Sequence, residues 1–172
     1  QQRLAILGLA LTILMILLAV SAPVLTPYKY DKMDAAHPLA SPSRAHWLGT
    51  DEFGRDVLSR IAYGGRISLW VGFLGVVSST IIGALFGLMA GYYGSLMDNV
   101  IMRIMEILMS FPSVLLALFV VGILGSSLNN VIIAISVAYI PFFARITRAE
   151  VVSIRERQFI EAAVTIGASP GR

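Results

Sequence analysis

Four uncharged stretches set the pattern of this chain. The first runs from Leu4 to Val20 and on to Leu25. A helix of roughly 20 residues crosses a hydrocarbon core of about 30 Å, and this run is long enough to do so. A secretory signal would have a shorter apolar body, and the one small-residue site of cleavage type is Val20-Ser21-Ala22. The length predicts a spanning helix. The second stretch, Ile67 to Met97, is too long for one unbroken span. Gly91-Tyr92-Tyr93-Gly94-Ser95, with two glycines and interfacial aromatics, predicts where it breaks. The third stretch runs from Ile107 to Gly125 and is interrupted by Pro112. The fourth, Leu128 to Ala144, contains Pro141 and ends at Arg145. Residues 125–130 between the last two predict a tight hairpin.

Two segments are polar. Residues 26–66 are Pro-rich at first and then mixed in charge, and Asp51 to Arg66 predicts an amphipathic surface helix leading into the next span. In the tail after Thr147, Val152, Phe159, Ala163 and Ile166 are spaced by seven, four and three, the spacing of one apolar helical stripe. Gly167 suits the left-handed position that ends a helix. Ser169 followed by Pro170 suits the N-cap and first position of another. The chain stops at that opening, so the expectation is a fragment of a longer protein.

Composition agrees. Hydrophobic residues make up 57% of the 172 and charged residues 13%, against about a quarter charged in soluble domains. The formal net charge of +3 lies mostly outside the apolar runs; it fits anchoring at lipid headgroups and not a nucleic-acid footprint. There is no cysteine, and two histidines, His37 and His46, make no histidine-rich metal site. Charge does not set the orientation. If all four runs span, Arg3, Arg103, Arg145, Arg148, Arg155, Arg157 and Arg172 share one side, and Lys29, Lys32, Arg44, Arg55, Arg60 and Arg66 the other.

Small residues recur every fourth position at Gly75, Ser79, Gly83, Gly87 and Gly91, one helix face on which another backbone can approach closely. That is a packing seam, with or without a functional role. Asp98, Arg103 and Glu106 precede the third run, at interfacial depth, and Arg103 can meet Glu106 three residues on. Pro112 and Pro141 free backbone carbonyls, which shapes a cavity or fits neighbouring helices. Asp51, Glu52 and Asp56 match no calcium loop and read as solvated loop charge. No phosphate-binding Gly-x-x-x-x-Gly-Lys-Ser/Thr occurs, and no base stands near the scattered Ser and Tyr to make an intramembrane catalytic set.

At the tail, Glu161-Ala-Ala-x-x-x-Gly167 followed by Ala168-Ser169-Pro170 resembles the first half of the cytoplasmic EAA motif of dipeptide, oligopeptide and nickel ABC importer permeases. Leu48-Gly-Thr-Asp-x-x-Gly-Arg-Asp-Val-Leu-Ser-Arg60, with Tyr63-Gly64 and Arg66, is similar to the region before that family's second span, and Phe111-Pro112 fits as well. The resemblance covers essentially the whole chain. It departs at the end, where the family continues through a short helix to a Leu-Pro and two more spans.

The resemblance implies an all-α membrane protein, a type I ABC importer-like helix bundle with four of about six spans present. Residues 1–25 would be the first transmembrane helix, 26–66 an extracytoplasmic loop, and 67–172 a core permease domain ending in the start of the coupling segment. It implies a cytoplasmic N-terminus and tail in a bacterial or archaeal cell membrane. A second, homologous permease, two ATP-binding subunits and an extracytoplasmic solute-binding protein would be its partners, besides membrane lipid. No cofactor is expected on this chain, since ATP and Mg would be held by the ATPase subunits. Coupling would fall to Glu161, Ala162, Ala163, Gly167, Ala168, Ser169 and Pro170. The alternative, an ion-coupled secondary transporter, predicts charged or broken helices at the membrane midplane. A passive scaffold explains the tail and seam no better.

Overall fold

In the computed structural model, which describes residues 2–26 and 28–167, every regular element is a helix. The chain divides into two compact units, Gln1–Trp70 and Val71–Arg172, with the boundary inside one continuous helix.

In the first unit, α1 (Gln2–Leu25) is apolar on all sides, as befits a helix that hydrocarbon surrounds. Its hydroxyls bond back into their own helix, Thr12 Oγ1 to Gly8 O at 2.9 Å and Thr26 Oγ1 to Ala22 O at 2.6 Å. No polar group of these is left facing lipid. The segment from 28 to 56 has no helix of its own but is internally bonded. Thr50 Oγ1 donates to His37 O at 2.6 Å and accepts from Ala40 N at 2.8 Å, and Leu39 N donates to Asp51 O at 3.0 Å.

Helix α2 (Val57–Tyr93) has 37 residues, about 55 Å at ~1.5 Å rise. That exceeds the hydrocarbon thickness, so part of it stands in the interface. Its start at Val57 lies within the stretch expected to lead into the second span. Asp56 sets that start: Oδ2 accepts the Ser59 N–H at 2.8 Å, the geometry of an N-cap.

In the second unit α2 ends at the predicted break. Gly94 has φ 62 and Ser95 φ 44, and α3 (Ser95–Met109) begins there. The third apolar run does not form one straight span. Ser110, Phe111 and Pro112 separate α3 from α4 (Ser113–Leu124), and the two helices meet at 90°. Proline denies α4 a preceding backbone donor and biases Phe111 away from helical geometry. At 12 residues, α4 is about 18 Å long and cannot cross a membrane alone. Three helices among the described residues are long and apolar enough to span, and the bent pair makes up to four.

Gly125, at φ 92, opens the expected hairpin. Asn130 closes it, its Nδ2 donating to Leu124 O at 2.7 Å and Gly125 O at 2.9 Å, while Ser127 caps α5 (Leu128–Arg155) by accepting the Asn130 N–H at 3.2 Å. Pro141 does not interrupt α5; it is fully buried within the continuous helix. The tail is not a single helix from Thr147 to Ile166. Helix α5 ends at Arg155, Glu156 takes φ −83 and ψ 4, and α6 (Gln158–Thr165) starts anew. The local sequence contains no helix breaker to explain that joint. Ala90, Ile101, Met105 and Ala144 form the buried core of this unit, with Met102 and Ile140 against it.

Candidate functional site

The seam residues of α2 lie directly on α5. A Cβ at Gly75 would come within 2.8 Å of Ile135 Cγ2. At Gly83 it would meet Ile140 O and Phe143 Cβ at 2.7 Å, at Gly87 Ala144 O at 2.5 Å, and at Gly91 the Val151 side chain at 2.8 Å. Ser79, fully buried, belongs to the same face and donates to Gly75 O at 2.8 Å; Ser136 of α5 donates to that carbonyl at 3.4 Å. Backbone-to-backbone approach of this kind needs the missing side chains, and it maximises dispersion contact where lipid gives no hydrophobic drive.

Two arginines of α5 extend the contact to the corner between α2 and α3. Arg148 Nε and Nη2 grip both carboxylate oxygens of Asp98, in the first turn of α3. Charge-assisted, bidentate pairs of this type are the strong and directional ones. Arg155, in the last turn of α5, donates from Nη1 to Gly91 O at 3.1 Å and Tyr92 O at 2.8 Å. Those carbonyls belong to the last turn of α2, where the helical ladder leaves acceptors open and the dipole favours a cation. Arg103 pairs with Glu106 at 3.2 Å as the spacing predicts, but both are exposed, and such a pair contributes little. Asp98, Asn99, Arg103, Arg145 and Arg148 line an open cleft of about 550 Å³.

Beyond Arg155 the chain passes through the Glu156 joint into α6, which carries Glu161, Ala162 and Ala163. Gly167 follows at φ +85, the left-handed conformation expected of it. Ala168, Ser169 and Pro170, with the second helix start read from them, lie outside the described residues. Phe159 and Ile166 are exposed, so the predicted apolar stripe is open at this end.

The loop corrects the solvated-charge reading for Asp51 and Asp56, while Glu52 is exposed as expected. Asp56 is 4% exposed, and besides capping α2 it bonds Ser59 Oγ at 2.7 Å and His46 Nδ1 at 3.0 Å. Asp51 accepts from the backbone of Arg55 at 3.0 Å and Phe53 at 2.9 Å, from Arg55 Nε at 2.8 Å, and from Arg60. Partial burial works against its ionisation; the Arg55 N–H and side chain, the Phe53 N–H and Arg60 outweigh it and hold the carboxyl down to about 2. Burial likewise raises and Ser59 and His46 lower the Asp56 carboxyl, with a net shift downward. Both acids organise the loop and the α2 start. Sequence reading missed this, and the Asp56-x-x-Ser59 capping pattern was the signal available for it.

Residues 83–172, from the glycine seam to the tail, match the family described as binding-protein-dependent transport system inner membrane component. The chain belongs to this family. Residues 1–42 match the N-terminal transmembrane domain of oligopeptide transport permease C. A dipeptide transport system permease protein of Alkalihalophilus pseudofirmus is 47% identical over 172 residues, 100% of this chain and 57% of the relative. A glutathione transport system permease protein of Pectobacterium atrosepticum is 40% identical over 175 residues, 98% of this chain and 56% of the relative. A dipeptide transport system permease protein of Bacillus subtilis is 36% identical over 172 residues, 100% and 54%. The chain thus spans little more than half the length of these relatives. As an inner membrane component it is at home in a bilayer, which accommodates the large exposed apolar residues along α1, α2 and α4.

Proposed function

We propose that this chain belongs to the translocation subunit of an ATP-driven importer, which moves peptides or related small solutes inward and is driven by separate ATPase subunits. The observation that carries the reading is the family match together with full-chain identity to relatives named as dipeptide and glutathione transport permeases. The subunit is not itself an enzyme: ATP and Mg belong to two partner ATP-binding subunits. A second, homologous permease completes the pathway, and a solute-binding protein delivers cargo to the side on which residues 26–56 lie. Helix α6 and the turn at Gly167 dock on the ATPase from the cytoplasmic side. Glu161 orients that turn or pairs with a basic group, and Ala162 and Ala163 permit close approach.

Two features support this assignment of ends. Helix α5 reaches from the core directly to α6, so a push at α6 has a stiff element to act on. Positive φ at Gly167 supplies the reversal a docking turn needs. An ion-coupled transporter predicts charged or broken helices at the membrane midplane; α3 and α4 are broken at 90°, but Asp98, Arg103 and Glu106 precede the apolar part of that pair, and the family match and the named relatives favour the importer.

The test is purification of the full-length subunit from membranes in mild detergent, with mass spectrometry of what accompanies it and an ATPase assay. Recovery of ATP-binding subunits and a second permease in a complex that hydrolyses ATP is expected. A homogeneous protein with no ATPase partner after cross-linking would defeat the proposal.

A further inference from the structure

We infer that Arg148 and Arg155 are positioning residues for energy coupling: two arms of α5 that carry displacement at the α6 end into the corner where α2 meets α3. This rests on the importer reading above and goes beyond it, because it names where force leaves α5.

The corner at Gly94 and Ser95 has positive φ at both residues and no helical continuity. By itself it is a hinge between two helices. Helix α5 holds it at three levels within two turns. Arg148 binds the first turn of α3 through Asp98. At the next level Val151 sits against Gly91, where a Cβ would come within 2.8 Å of it. Arg155 binds two carbonyls in the last turn of α2 before the corner, those of Gly91 and Tyr92. Residues seven apart on a helix return to the same face, so one face of α5 addresses both sides of the hinge.

The two kinds of contact resist different motions. The glycine seam opposes compression, since backbone meets side chain and backbone at van der Waals distance, and its dispersion contact resists separation, but it has little directionality to resist sliding. The arginine bonds are directional and charge-assisted, and they oppose both. Arg155 is also the last residue of α5 before the joint to α6. A displacement of α6 therefore reaches Arg155 first, and with the arms in place the ends of α2 and α3 move with α5. With the arms removed the seam still packs, but the corner can lag.

The experiment uses the full-length subunit in its assembled transporter, reconstituted in proteoliposomes with the binding protein and labelled dialanine as the probe. ATP hydrolysed and dialanine imported are measured together for wild type, R148M, R155M and R155K. Import per ATP should fall by about fivefold or more in R148M and R155M, the lower end of ordinary intersite coupling, with hydrolysis continuing. R155K still reaches a carbonyl and should keep most of the ratio. An unchanged ratio in R148M and R155M, even with lower yield or thermal midpoint, would reduce the arms to structural contacts and overturn the inference. Wild-type vesicles that hydrolyse ATP but import neither dialanine nor labelled glutathione in its presence would instead strike at the importer reading itself.

Discussion

Replacing single glycines of the α2 seam by alanine should destabilise the protein in an order set by what each new methyl meets. At Gly87 the methyl would lie 2.5 Å from Ala144 O, 2.7 Å from Thr147 Cβ and 3.0 Å from Arg148 N. The two backbone atoms cannot rotate away, so the helices must part by roughly 1 Å to restore ordinary contact. Overpacking of this kind costs about 1–3 kcal/mol, and the rigid neighbours put Gly87 near the upper end. Against it stands the helix-propensity gain of alanine over glycine, up to ~1 kcal/mol. The net loss is about 2 kcal/mol. G83A meets Ile140 O and Phe143 Cβ at 2.7 Å and should match it. G75A meets no backbone atom but the Cγ2 and Cβ of Ile135, at 2.8 and 3.3 Å; that branched side chain is stiff yet more yielding than a carbonyl, so its loss should be about 1 kcal/mol, below that of G87A. Gly72, on the same helix, has open space around the methyl, and G72A should be neutral or slightly stabilising. The double variant G83A/G87A should lose less than the sum, since one separation of the helices relieves both contacts. Thermal unfolding of the detergent-solubilised full-length subunit reads the series, at about 2 °C per kcal/mol for a chain nearly twice this length. Equal midpoints for G72A and G87A would refute the close approach of α2 and α5.

Three further outcomes follow from the loop and the tail. The Asp51 carboxyl is held at about 2, below its unfolded value of about 3.9. Its stabilisation is therefore complete above the unfolded value and is lost as pH falls through the folded one. Amide exchange across residues 28–56 should accelerate relative to D51N between about pH 4 and 2, and parallel pH profiles for the two proteins would exclude this role. Gly54 has φ +72, and a Cβ there would overlap the Asp34 carbonyl, so G54A should open the loop to proteolysis while leaving the helices in the membrane. An uncut G54A loop would contradict that geometry. G167V penalises the left-handed turn by ~1–2 kcal/mol and should weaken recovery of ATPase subunits with the permease without preventing insertion; normal docking and transport would remove the turn from the coupling role.

The apolar runs made the spans legible because lipid demands long uncharged helices, and the Gly94 break and the Gly125–Asn130 hairpin were legible because glycine marks positive φ. The bend at Pro112 was visible as an interruption, but not its angle, which depends on how α4 packs on α5. Local spacing found Arg103 with Glu106. It could not find Asp98 with Arg148, fifty residues apart, since nothing in either neighbourhood names its partner. The acids at 51 and 56 were misread because a loop sequence shows charge and not the backbone donors folded around it. The joint at Glu156 carries no composition signal at all.

The right-angled bend also fixes a depth. The carbonyls of Ser110 and Phe111 lie between two helices and outside the hydrogen-bond ladder of either. Hydrocarbon offers them no donor, and an unmet backbone group there costs several kcal/mol. The elbow must therefore rest where water, headgroups or another protein surface can supply one. From that level helix α4, at 12 residues, is too short to cross the apolar layer by itself, and the hairpin at Gly125, with its own backbone turned by Asn130, needs the same kind of polar shelter. A segment that enters lipid with a polar turn at each end and too little length between them is a piece built to be completed by neighbours.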